Sequence, residues 1–337
     1  MSRMLEESLE APDRIADQLA SDAELYRELG RRLRELDPIL VATVARGSSD
    51  HAAGFATYVL PLVTGRLVAS LPPSLVTLSG EVPRLAGQVA LGISQSGGSP
   101  DIVRTLAAAK SAGALALALV NETVSPLAEV ADVVLPQHAG PERSVAATKS
   151  MLASLTGVLR LATAWSGAAE LEALLASLPG RLTKAAIAGD VVAPGWADPD
   201  GSIYVLARGA ALPVAGETAL KLKETCGLHA EAFSAAEVRH GPKEIVGPDF
   251  LVLALNVEGP GRDDLLAAAA ELEAQGARVL RIGDGADAWL RLPEGASQLS
   301  APIEALQAIY PVLAREAVAL GRDPDRPRTL KKVTRTL

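Results

Sequence analysis

Hydrophobic and polar positions along this chain fall into two alternating textures. Short, almost continuous runs of Val, Ile, Leu and Ala occupy residues 39–45, 89–93, 114–120, 203–207, 250–255 and 277–282. Between them lie longer stretches in which apolar residues recur at helical spacing. A strand with one face in water alternates, whereas a strand covered on both faces does not, so continuous runs predict a parallel sheet sandwiched by helices. Strands of that kind alternating with helices imply a doubly wound α/β architecture. Residues 1–36 precede the first run and predict an amphipathic helical segment.

The pattern occurs twice. Ile39-Leu40-Val41-Ala42-Thr43-Val44-Ala45-Arg46-Gly47 ends in Ala-Arg-Gly, and Ile203-Tyr204-Val205-Leu206-Ala207-Arg208-Gly209 repeats that ending 162 positions later. The run at 89–94 leads to Asp101 and a helix stopped by Gly113; the run at 250–256 leads to Asp263 and a helix stopped by Gly276. Such self-similarity predicts two copies of one unit. The expected organisation is a helical segment over 1–36, a first α/β domain over 37–190 and a second over 191–337. Pro194, Gly195, Pro199 and nearby aspartates mark the join.

Composition narrows the function. At 337 residues the chain suits two domains of about 150 residues each. Apolar residues make up 49% and charged ones 21%, enough for a large core. A net charge of −8 and a 3% aromatic content disfavour nucleic acid and anionic membrane as partners. The single cysteine, Cys226, excludes a disulfide framework, a CxxC redox pair and a cysteine-rich zinc site. His229-Ala230-Glu231 mimics the HxE of zinc deaminases but lacks the cysteine pair that chemistry needs, and no metal or cofactor is expected. The acidic N-terminus lacks an apolar signal core and no apolar run has transmembrane length, so a cytoplasmic location is expected.

In open α/β sheets ligands sit beyond the carboxyl ends of the strands. Two such ends are polar and Gly-rich: Arg46-Gly47-Ser48-Ser49-Asp50 and Ser94-Gln95-Ser96-Gly97-Gly98-Ser99-Pro100-Asp101. Ser99, Pro100 and Asp101 together mark a helix start. Glycines that admit a close ligand, hydroxyl donors and a helix N-terminus build an oxyanion cradle without a lysine. The alternative is a well-capped connection. The duplicate loop, Asn256-Val257-Glu258-Gly259-Pro260-Gly261, has no serine and adds a carboxylate, so only the first copy is built for an anion.

The second copy concentrates acid–base candidates. Residues 217–227 read as a helix closed by Gly227, on which Lys221 and Glu224 share a face. Ser234 and Glu237 form a capping-box pattern, predicting a short helix ended by Gly241-Pro242 with His240 at its C-terminus. A histidine there can exchange protons near neutral pH. Solvated ion pairing for Lys221 and Glu224, simple capping for His240 and a buried packing role for Cys226 are the alternatives.

These residues resemble the tandem sugar isomerase (SIS) domains of glucosamine-6-phosphate synthase and its relatives. The resemblance rests on Gly47-Ser48-Ser49, Ile93-Ser94-Gln95-Ser96-Gly97, Ser144-Val145-Ala146-Ala147-Thr148-Lys149, Leu220-Lys221-Leu222-Lys223-Glu224, His229-Ala230-Glu231-Ala232, His240-Gly241-Pro242 and the tail from Asp325 to Thr334. It implies two SIS domains and a phosphorylated amino sugar as substrate. Ser48, Ser49, Ser94, Gln95, Ser96 and Ser99 would bind the 6-phosphate, with backbone help at Val145. Glu224 would move a proton between C1 and C2, Lys221 would orient the sugar or the glutamate, and His240 would open the ring from the other subunit of a homodimer. Lys332 matches the lysine that forms a Schiff base with the ketose. Ala147 replaces a family serine, and Lys243-Glu244 replace apolar residues.

Ser2 after Met1 does not match the cysteine nucleophile of a glutaminase half, and residues 6–19 resemble the SIS-type glucosamine-6-phosphate deaminases. The resemblance therefore implies release of ammonia and fructose 6-phosphate from glucosamine 6-phosphate and water. The alternatives are a fructosamine-6-phosphate deglycase, a galactosamine-6-phosphate deaminase, an ammonia-dependent synthase or a sugar-phosphate sensor.

Overall fold

The computed structural model describes residues 1–332. Two helices come first, α1 (Arg3–Ala20) and α2 (Ala23–Leu36), as the periodicity of the opening segment predicts. Then follow β1 (Leu40–Val44), α3 (Ser48–Thr64), β2 (Leu67–Ser70), α4 (Pro73–Thr77), β3 (Val89–Ser94) and α5 (Pro100–Ser111). The first copy continues with β4 (Leu115–Val120), α6 (Pro126–Val130), β5 (Val133–Pro136), α7 (Lys149–Ser166) and α8 (Ala169–Asp190). The second copy holds β6 (Ser202–Ala207), α9 (Leu212–Lys221), β7 (His229–Ser234), β8 (Phe250–Asn256) and α10 (Arg262–Ala274). It ends with β9 (Arg278–Gly283), β10 (Leu290–Arg291) and α11 (Ala301–Ala319).

Each copy builds a five-stranded sheet, ordered β2-β1-β3-β4-β5 in the first and β10-β9-β8-β6-β7 in the second. Every pairing is parallel. Counted within its own copy, the second sheet has the same 2-1-3-4-5 order as the first, which gives the duplication a structural basis. That order reverses direction between the first and third strands, where a ligand crevice opens. β3, β4 and β8 are buried almost throughout, as their continuous apolar runs predict. The edge strands β2, β5, β7 and β10 were not foreseen: β2 is largely exposed, β5 has four residues, β7 carries His229, Glu231 and Ser234 among its apolar positions, and β10 has two residues, too little for a buried run.

The described chain divides into two compact units that interleave along the sequence. One takes residues 13–142, 149–177 and the chain from 331; the other takes 1–12, 143–148 and 178–330. The first is centred on β1–β5, its core including Val44, Leu91, Leu106, Leu117 and Leu127. The second is centred on β6–β10, where Tyr204 packs edge-on against Phe233 and Phe250. No described helix is long and apolar enough to cross a membrane.

Candidate functional site

In the β1–β5 unit, the crevice lies where β1 runs into α3 and β3 into α5. Gly47, with φ 57°, turns the chain so that Ser48 and Ser49 open α3, both half-buried. Ser94 ends β3 with its hydroxyl 3.0 Å from the Gly97 N–H, and the Ser96 hydroxyl accepts from Gly98 N–H at 3.3 Å. Each hydroxyl oxygen is thus occupied as an acceptor while its proton remains available as a donor. Gly97 has φ 61°, and a Cβ there would stand 2.1 Å from the Ser125 hydroxyl, so the turn admits only glycine. Ser99 is the extended N-cap of α5 and Pro100 follows it, as the sequence predicts. Gln95, Ser96 and Ser99 are all half-buried at the mouth.

Two groups outside the predicted set hold this loop. Gln137, fully buried after β5, donates to the carbonyls of Ser94 at 3.2 Å and Leu119 at 3.1 Å. Arg46 at the end of β1 donates to the buried carboxylate of Asp101 in the first turn of α5, at 3.0 Å. That ion pair ties the two loops of the crevice together and places a cation beside the serines. Asp101 was legible as a helix-start residue; its reach across to Arg46 was not.

The equivalent crevice of the β6–β10 unit is closed. Arg208, the counterpart of Arg46, pairs with Asp264 at 3.0 Å and donates to Ser234 at 2.9 Å. Its side chain fills the space above Gly261, where a Cβ would stand 2.7 Å away. Arg239 joins Asp264 at 2.5 Å, and Arg262 spans Asn256 and Glu258. The cations there are consumed by carboxylates of the same unit, so the asymmetry between the loops extends to the charges around them.

Of the acid–base candidates, Lys221 and Glu224 lie along α9 and a π turn at Leu222–Cys226 that prolongs it, closed by Gly227 at φ 68°. Lys221 is 1% exposed, and its ammonium is 2.6 Å from Glu224 and 3.3 Å from Glu217. Burial works against the lysine's charge, but the two carboxylates outweigh it and raise its pKa. Glu217, absent from the predicted set, is fully buried and accepts from the Tyr310 hydroxyl of α11 at 3.1 Å. Its other oxygen accepts no hydrogen bond among the described residues. Burial pushes its pKa up to about 7, opposed by Lys221 and reinforced by Glu224. Glu224 alone of the three reaches solvent, with 23% of its side chain exposed. It lines a cleft of about 790 Å³ together with Lys223, Arg322, Arg326 and Arg328. This is a buried charge network with one carboxylate presented to a cleft, not a solvated pair.

Several expectations change in detail. Ser234 does not open a capping box: it ends β7, its hydroxyl accepts from Ala236 N–H at 3.3 Å, and Arg208 claims it as well. Only a 3₁₀ turn, Glu237–His240, follows, and a second one begins at Pro242. A four-residue turn has little dipole, so that argument for imidazolium at His240 lapses; the ring stands exposed. The Val145 N–H donates to the Asp325 carbonyl at 3.1 Å and is therefore engaged within its own unit rather than offered to an anion. Cys226 is buried, and that burial pushes its thiol up to about 12, which removes it as a nucleophile. His229 and Glu231 lie exposed on β7, and no described cluster of His, Cys, Asp and Glu could hold a metal.

The tail is anchored by two carboxylates. Asp325 accepts from the N–H groups of Arg3 at 2.9 Å and Met4 at 2.7 Å, capping α1. Lys332 donates at 3.0 Å to Glu142, which is fully buried and also accepts from Ser150. Val333 and Thr334 of the tail motif lie outside the described residues.

A profile of the SIS domain matches residues 40–164 and 198–313. Glutamine–fructose-6-phosphate aminotransferase (isomerizing) from Thermococcus kodakarensis is 31% identical over 98% of this chain and 57% of its own length. The enzyme of that name from Methanothermobacter thermautotrophicus is 32% identical, over 98% and 56%. The chain thus spans a little over half the length of these curated relatives. A solved structure from Silicibacter pomeroyi DSS-3, provisionally named a phosphosugar isomerase, is 37% identical with a TM-score of 0.87, covering 96% of this chain and 100% of that one. Glucosamine-6-phosphate deaminase from Thermotoga maritima shares the fold at a TM-score of 0.77 and 23% identity, covering 99% and 100%.

Proposed function

The chain belongs to the SIS domain family, and we propose that it acts on a phosphorylated amino sugar as a glucosamine-6-phosphate deaminase of the SIS type. The observation that carries this reading is the Glu217–Lys221–Glu224 network, which presents one carboxylate to a cleft beside a buried ammonium. Abstraction of the C2 proton of an open-chain amino sugar needs a base of moderate strength, held still and able to pass that proton to C1. Lys221 fixes Glu224 in position through their ion pair. The resulting imine at C2 adds water, the C–N bond breaks, and ammonia leaves fructose 6-phosphate.

The serines at 48–49 and 94–99 would hold the 6-phosphate, with Arg46 supplying the charge that a net acidic chain otherwise lacks. His240 would protonate the ring oxygen for opening, contributed by the second chain of a homodimer. Lys332 would approach the open-chain ketose from the tail, where it contacts Glu142. The names of the curated relatives favour a second reading, in which the same proton transfer runs from fructose 6-phosphate and ammonia toward glucosamine 6-phosphate. Ammonia release from glucosamine 6-phosphate, galactosamine 6-phosphate and fructosyl-amine 6-phosphates distinguishes the substrates. The deaminase reading expects release from glucosamine 6-phosphate, and none from it alongside synthesis from ammonia would replace it with the second.

A further inference from the structure

The Glu142 carboxylate that receives Lys332 is sealed from water, whereas 26% of the lysine side chain is exposed. Its Oε1 accepts from the Ser150 N–H at 3.1 Å. Its Oε2 accepts from the Ser150 hydroxyl at 2.6 Å and from the Lys332 ammonium at 3.0 Å. Glu142, Ser150 and Lys332 all belong to the β1–β5 unit. Ser150 lies in the first turn of α7, and one turn further on the Ser154 hydroxyl donates to the Ser150 carbonyl at 2.9 Å. Gln137 donates to that same hydroxyl at 3.0 Å and to the Ser94 carbonyl at 3.2 Å. A chain of hydrogen bonds through buried side chains thus runs from the end of β3, where the candidate phosphate loop begins, to the seat of Lys332.

Helix capping accounts for the contact between Glu142 and the Ser150 N–H. It does not account for a buried carboxylate oxygen shared between a hydroxyl and an ammonium from the tail. An amine attacks a carbonyl carbon only as its free base. Losing the Lys332 proton to water would leave Glu142 as a buried charge without its cation, which is costly. Passing that proton to Glu142 neutralises both groups together. We propose that Glu142 is a positioning residue for Lys332, seating the amine, taking its proton as it attacks and returning it afterwards. This rests on the reading of Lys332 as the Schiff-base lysine. In the step, Lys332 gives one proton to Glu142 and its nitrogen bonds to C2 of the open-chain ketose. The C2 oxygen then leaves as water, taking up the amine's second proton and the one held by Glu142. The products are a C2 iminium on Lys332, one water and the Glu142 carboxylate restored; water reverses the step to release the ketose.

Trapping with fructose 6-phosphate and cyanoborohydride reads the step, because reduction of the iminium fixes the sugar to Lys332 and peptide mass spectrometry locates it. With Glu142 as internal acceptor, the wild-type trapping rate should stay nearly level between about pH 6 and pH 8. A lysine that must lose its proton to water gains rate about tenfold per pH unit instead. Glu142→Gln keeps the size and an acceptor for the Ser150 N–H but cannot take the proton. It should trap about 10²-fold more slowly at neutral pH and acquire the steep profile, while Glu142→Asp should restore a level profile at a reduced rate. A wild-type rate that climbs tenfold per unit overturns the role of Glu142. So does a Glu142→Gln chain with a level profile, whether it traps at the wild-type rate or slowly because α7 starts badly. The wild-type profile needs no variant, so a Glu142→Gln chain that fails to fold leaves the test intact. Trapping that is absent from Lys332 in the wild type would remove the Schiff-base reading itself, and this role with it.

Discussion

The Lys221 ammonium stands 2.6 Å from the Glu224 carboxylate, with the lysine sealed from water and the glutamate open to a cleft. Three residues apart on a helix that widens into a π turn, the two make a pair in which one partner cannot leave. A buried ammonium needs its carboxylates, since removing one leaves an uncompensated charge. Lys221 is therefore a fixed electrostatic post for Glu224, and Glu217 is the carboxylate that supports the post from within.

Glu217 makes stability pH-dependent. Its pKa is about 7 in the fold because of burial, against an ordinary value of 4.5. Between those values the folded chain keeps a proton that the unfolded chain has released, so stability falls as pH rises through the window and levels off above it. Glu217→Gln imitates the protonated group and removes that slope. Melting temperatures should shift in the variant's favour from pH 4.5 to 7; a constant offset from wild type across that range would count against the assignment.

The phosphate site proposed at the first crevice rests on the shape of its loops. Ser96→Glu puts a carboxylate at a half-exposed position where the phosphate would sit, and should abolish binding of fructose 6-phosphate by calorimetry while the melting temperature holds. Gly97→Ala meets the Ser125 hydroxyl and an unfavourable φ, so it should cost more than about 1 kcal/mol of stability. Unchanged affinity in Ser96→Glu would move the anion site elsewhere.

Much of this was legible in the sequence, for reasons tied to particular residues. The central strands show because both their faces are buried, leaving runs such as Val89 to Ile93 with no polar position. β2 escapes notice because Leu67 and Ser70 lie on an open edge. The Lys221–Glu224 face follows from helical spacing, but Glu217 looks like another surface carboxylate until Tyr310 and α11 cover it. The Ser234 and Glu237 spacing fits a capping box, yet the strand continues to Ser234 and Arg208 takes the hydroxyl. Asp325 as the cap of α1 joins the two ends of the described chain and has no local signature at all.

Asp325 supplies that cap and also receives the Val145 N–H. Asp325→Ala should lower stability by about 1 kcal/mol, the usual cost of a lost helix cap. Hydrogen exchange at Arg3 and Met4 should accelerate in the variant. Exchange at wild-type rates would show that α1 is held without it.

The dimer reading of His240 is open to complementation. Inactive His240→Ala chains mixed with inactive Glu224→Gln chains should recover activity, because a mixed dimer then keeps one intact site. Subunit exchange verified by mass, with no recovery, would mean that each site is built from a single chain.

The central claim is that Glu224 moves the proton between C1 and C2. Glu224→Gln keeps the shape and a hydrogen-bonding end while removing basicity, and loss of a general base costs about 10²–10⁴-fold in rate. Run in deuterated water with glucosamine 6-phosphate, the variant should lose ammonia release and deuterium wash-in at C1 of the product together, with KM little changed. A Glu224→Gln protein that turns over at the wild-type rate would contradict the account.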